Sequence, residues 1–97
     1  MTTIRGTALR YVLTYVLARN GRMTVAELVA ALSRLDFSVP GRPSKTVSDA
    51  LRWEVGRGRV YPRGRGVYEP GEIPRGTEYR IEKRVEALRE QARILNG

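Results

Sequence analysis

The 97-residue chain contains no cysteine and no histidine. Without thiols there is no disulfide frame, no thiolate nucleophile and no zinc–thiolate site. Without imidazole the commonest general base and metal ligand is missing. No apolar run approaches the ~20 residues that span a bilayer. The opening Met1-Thr2-Thr3-Ile4-Arg5 carries no signal-peptide core. An enzyme would have to work from carboxylates, hydroxyls or two lysines, and no acidic pair stands out from a solvated helix face. The inventory points away from catalysis, metal and cofactor, and toward a cytoplasmic protein with no membrane partner.

What the chain has in excess is positive charge. Eighteen Lys and Arg face ten Asp and Glu, leaving +8 and a pI near 10.8. A surplus of that size favours a polyanionic partner. Only Lys45 and Lys83 are lysine; the other sixteen are arginine, whose planar fork grips phosphate and guanine in a way lysine cannot. A GC-rich coding bias would also enrich arginine, so position has to carry the case.

Length allows one domain with a small core, since ~60% of the unfolded surface can be buried at this size. Residues 6–19 have helical spacing, with Ala8, Val12, Tyr15 and Val16 on one face and Leu9, Leu13 and Leu17 widening it. Asn20-Gly21 ends the run. Thr24-Val25-Ala26-Glu27 fits a capping box opening a second helix, whose stripe is Leu28, Val29, Leu32 and Leu35. Residues 36–43, with two prolines and a glycine, break it. A third helix is expected over 44–57, with Val47, Ala50, Leu51 and Val55 inward. Val60-Tyr61-Pro62 and Val67-Tyr68-Glu69 read as two strands joined by Arg63-Gly64-Arg65-Gly66, with Pro62 at an edge or bulge. Residues 70–76 read as a linker, and Thr77 as the cap of a last helix over 77–97.

Helix, short strand, helix, helix, two-stranded hairpin resembles the winged helix-turn-helix superfamily. The resemblance is carried by Ser44 to Tyr68, SKTVSDALRWEVGRGRVYPRGRGVY, and covers residues 6–69. This stretch is similar to the recognition helix and wing of bacterial and archaeal transcription regulators. Arg65-Gly66-Val67-Tyr68 also looks like the wing of antitoxin-type regulators. The resemblance implies a mainly α fold with a small β-hairpin, a three-helix core plus wing, and an extra C-terminal helix. There are two departures. Glu54 stands where an apolar core residue is usual, which asks Trp53 or Val55 to take over its packing, and the break between helices two and three is long.

Charge follows the same map. Between residues 42 and 65 seven basic residues face only Asp49 and Glu54, while the other 73 residues carry eleven basic against eight acidic. The expected partner is therefore double-stranded DNA. Helix 44–57 would enter the major groove and the basic wing 59–68 would lie on the backbone or minor groove. The DNA-binding candidates are Arg42, Ser44, Lys45, Thr46, Ser48, Arg52, Arg57, Arg59, Arg63 and Arg65. Ser44 alternatively serves as an N-cap, and Tyr61, Tyr68 and Trp53 read as packing residues. In the last helix Ile81, Val85, Leu88, Ala92 and Leu95 follow a 4-3-4-3 spacing, which suggests a homodimer seam. An antiparallel pairing brings Glu82 near Arg89 of the other copy. The alternative is a helix folded back on helix one of its own chain. Function then reads as a dimeric, nucleoid-associated transcriptional regulator. The alternatives are an architectural DNA binder with little sequence preference and a winged-helix module for protein or RNA.

Overall fold

The structure, a computed structural model, describes residues 1–96; Gly97, the final residue of the expected C-terminal element, lies outside the described residues. Nine elements follow in order: β1 (Thr2–Thr3), α1 (Gly6–Asn20), β2 (Met23–Thr24), α2 (Val25–Arg34), β3 (Phe37–Ser38), α3 (Pro43–Gly56), β4 (Val60–Pro62), β5 (Val67–Pro70) and α4 (Arg75–Asn96). The protein is mainly α, with a three-stranded antiparallel sheet ordered β2-β5-β4 and a two-stranded parallel pair, β1-β3. Among the described residues no helix is long and apolar enough to cross a membrane.

The wide apolar surface of α1 is what organises the molecule. Leu9, Val12, Leu13, Val16 and Leu17 are all buried, and α1 packs against α2, α3, α4 and β5. Thr14 is buried among them because its hydroxyl donates to the Arg10 carbonyl at 2.9 Å. Gly21 ends the helix at φ 81, its N–H bonding back to the Leu17 carbonyl. That left-handed conformation suits glycine.

Thr24 and Glu27 form the expected reciprocal cap: the Glu27 amide donates to the Thr24 hydroxyl and the Thr24 amide to the Glu27 carboxylate. These bonds, the Thr24 amide first, hold the Glu27 carboxyl below its ordinary pKa. Leu28, Ala31 and Leu32 bury the inner face of α2. Asp36 follows at φ 65, a left-handed residue that redirects the chain into β3. There its carbonyl accepts from Thr2 and the Ser38 carbonyl from Ile4.

The hairpin lies across the sheet edge as expected. β4 bonds only to β5, with Pro62 opposite Tyr68, so the proline's missing donor costs no ladder bond.

Two expectations are corrected here. The linker expected over 70–76 is shorter, residues 71–74. Pro70 is the last residue of β5, and α4 begins at Arg75 rather than at Thr77. Gly71 donates to the Arg59 carbonyl at 2.8 Å. A side chain there would place Cβ 2.7 Å from the Arg59 carbonyl carbon and closer still to the Gly58 oxygen. The second correction concerns the 4-3-4-3 row. Ile81, Val85, Leu88 and Ala92 are buried in the chain's own core against α1, and only Leu95 is exposed. The spacing marks a buried stripe, and that stripe is filled within one chain. An intermolecular seam through these four residues would require the core to open.

Candidate nucleic-acid interface

Helix α3 is held by Val47 and Leu51, both fully buried, and by its contacts with α1, α2 and β4. Its other side is uncovered: Arg42, Ser44, Lys45, Asp49, Arg52, Trp53 and Arg57 are all exposed. Arg42 is the N-cap and Pro43 starts the first turn, so Ser44 is not the cap, and no side chain caps this end. Pro43 has no amide to satisfy, and the first intrahelical donor is Thr46, bonding to the Arg42 carbonyl. The amides of Ser44 and Lys45 are therefore the free donors of the helix start.

The candidate residues differ in their surroundings. Thr46 is half-buried and its hydroxyl donates to the Pro40 carbonyl at 2.6 Å, so it fastens the loop before α3 rather than reaching outward. Ser48 is half-buried. Arg59 turns back onto Glu54, with Nη1 3.5 Å from Oε2. Arg63 is bound by Glu69 at 2.6 Å, and the same carboxylate holds Arg22 at 3.2 Å. The Arg63 hydrogen bond, opposed by partial burial and aided by Arg22, holds Glu69 below its ordinary pKa. Lys45 and Arg52 both approach Asp49, at 3.1 and 3.8 Å. Arg42, Arg57 and Arg65 have no carboxylate partner among the described residues.

Glu54 does what neither Trp53 nor Val55 was expected to leave to it: it occupies the core position itself, with no exposed surface. Arg10 Nε lies 3.3 Å from Oε1 and Arg59 on the other oxygen. Neither oxygen receives a hydrogen bond, so the pairing is carried by charge. Trp53, expected to be a packing residue, is 52% exposed. The Arg10 and Arg57 guanidinium carbons stand 4.9 and 5.3 Å from its ring centroid. Tyr61 is also exposed, whereas Tyr68 packs on the core.

One arrangement recurs three times: a single carboxylate between two cations. Asp49 has Lys45 and Arg52, Glu54 has Arg10 and Arg59, and Glu69 has Arg22 and Arg63. Each unit keeps one surplus positive charge and holds its side chains in place. Arg10 and Arg22, which enter these groups, and Trp53, beside Arg10, were not among the candidates read from the sequence. A charged Glu54 in an apolar slot was the available signal, because a buried carboxylate requires a cation from another element. Together these residues supply fixed cations, an exposed aromatic ring and free backbone amides, which suit phosphodiester contact. Comparison with protein-family models, curated proteins and solved structures gives no match for this chain.

Proposed function

We propose that the chain is a winged-helix DNA-binding transcriptional regulator that acts on duplex DNA in the cytoplasm, at the nucleoid. The observation that carries this reading is the uncovered side of α3, where Arg42, Lys45, Arg52 and Arg57 face outward against the single carboxylate of Asp49. A helix needs no such face to fold, and its self-repulsion is offset when phosphates approach.

In this reading α3 enters the major groove. Ser44, Lys45 and Arg52 reach base edges or phosphates. Arg42 and the free amides beside it grip a phosphate at the helix start. Residues 63–66, all exposed, lie along the adjacent backbone or minor groove with Arg65 unpaired. Arg57 and Trp53 extend contact toward α1, with the indole against a deoxyribose.

A second reading, an architectural binder with little sequence preference, is favoured by one observation. Thr46 is turned inward, which reduces the short hydroxyls available to read bases. Selection from a random duplex pool distinguishes the two, since a regulator enriches a motif and an architectural binder does not. Both readings require the log of affinity to fall with log salt at ~0.9 per phosphate contacted. A salt-insensitive interaction, or none with duplex DNA, would falsify both.

A further inference from the structure

A second cluster of arginines lies wholly outside residues 42–65. A cleft of about 350 Å³ opens between the last turns of α1 and α2 and the middle of α4. Arg19, Arg34 and Arg89 reach it, one from each helix, and no acidic residue lines it. Val16, Ala31 and Leu35 supply its apolar lining, and Tyr15 borders it with the Arg19 guanidinium 4.7 Å from its ring centroid.

Arg19 and Arg34 stand in the last turns of their helices, where the dipole favours a cation. That accounts for two of the three. Arg89 sits in the body of α4, and the carboxylates nearest it on that helix are engaged elsewhere: Glu86 with Lys83 and Glu90 with Arg93. None of the three guanidiniums has a carboxylate partner among the described residues. Three like charges converge on one partly apolar hollow, so their mutual repulsion is relieved when an anion enters. The cleft continues into a second hollow of about 390 Å³ that shares Tyr15, Arg34, Leu35 and Arg89 but is bordered by Asp36, Glu86 and Glu90. Those carboxylates disfavour an anion in the second hollow, which leaves the first as the better site for one.

We propose that this cleft binds a small organic anion. A phosphoryl or carboxylate head sits among Arg19, Arg34 and Arg89, and an apolar or aromatic body lies along Tyr15 and Leu35. Planar guanidiniums from three directions can each give paired hydrogen bonds to such a head. The site is independent of DNA binding and stands or falls without it.

The test is a backbone-amide NMR titration of the full chain at ~0.15 M ionic strength, where long-range attraction to the basic surface is largely screened. Phenyl phosphate serves as the phosphoryl probe and benzoate as the carboxylate probe. Saturable shifts confined to residues 15–20, 31–36 and 86–93 are expected. A response to phenyl phosphate alone assigns a phosphoryl head; a response to both assigns a general anion site. Arg34→Gln with Arg89→Gln, both exposed positions, should weaken binding about tenfold or more, as expected for losing charge-assisted hydrogen bonds. Arg80→Gln with Arg84→Gln, outside the cleft, should leave it unchanged. Shifts spread across residues 42–65, no saturable shift, or equal weakening by the two double variants overturns the proposal.

Discussion

Arg10 Nε stands 3.3 Å from Oε1 of Glu54, a carboxylate with no exposed surface, and so ties α1 to α3 through a buried charge. Arg59 completes the group from the residue before β4. Removing only the carboxylate strands two cations at the core margin. Glu54→Ala should lower unfolding free energy by about 3–5 kcal/mol, read from urea denaturation. Replacing Arg10, Glu54 and Arg59 together with Met, Leu and Met should recover most of that loss, because a well-packed apolar trio has no charge to desolvate. A triple variant no more stable than Glu54→Ala would show that the group is held by something other than its charges.

The hairpin should loosen in acid. Glu69 is held below the ordinary carboxyl value of 4.5, first by its hydrogen bond from Arg63. A depressed folded pKa contributes stability that is fully present above the unfolded value. That stability is lost as pH falls through the lower, folded one. The Glu69 carboxyl carbon should therefore titrate with a midpoint under 4.5, and Arg63→Ala should move the midpoint upward. Amide protection in β4 and β5, taken relative to the intrinsic exchange rate at each pH, should fall over the same range. A midpoint at or above the ordinary value contradicts the pairing.

Asp49 restrains the two cations that α3 would offer to DNA, Lys45 and Arg52. Asp49→Asn should release both and remove a charge that repels phosphate. Duplex affinity measured by fluorescence anisotropy should rise two- to fivefold, equivalent to about 0.5–1 kcal/mol. The gain should shrink as salt is raised. Weaker binding confined to one sequence would instead make Asp49 a base-reading residue, accepting from a cytosine amino group.

The core position of α4 makes a concentration test decisive. Ile81 is buried inside the chain, so Ile81→Ala should cost about 2–4 kcal/mol. The denaturation midpoints of both parent and variant should not move with protein concentration. A midpoint that climbs with concentration is the mark of a stripe buried between copies.

Much of this architecture is legible from local pattern. Leucine and valine spacing marks α1, Asn20-Gly21 its end, Thr24 and Glu27 the reciprocal cap of α2, and two glycines the hairpin. Each of these is decided within a few residues. The β1-β3 pair was not legible, because two-residue strands hold by backbone bonds that leave no side-chain pattern. The row from Ile81 to Leu95 announces burial but not what covers it, since a stripe facing α1 and a stripe facing a second copy have the same period.

The candidate site divides in the same way. The gathering of arginine between 42 and 65 is visible in the chain, but its partition is not. Arg22 and Glu69 meet across 47 positions, and only the sheet brings them together. Thr46 looks like its neighbours in sequence and is turned inward by the Pro40 carbonyl. Trp53 looks like core, yet Glu54 takes the interior position and leaves the indole outside.

The parallel pairing of β1 with β3 has a practical side. Thr2 and Ile4 hang on the carbonyls of Asp36 and Ser38, and only four residues separate Ser38 from Pro43, the first residue of α3. The opening residues thus brace the launch point of α3. An affinity tag spliced directly onto Met1 would tug on that brace, whereas Ile94 and Leu95, already in solvent, mark the far end of α4 as the gentler place to attach one.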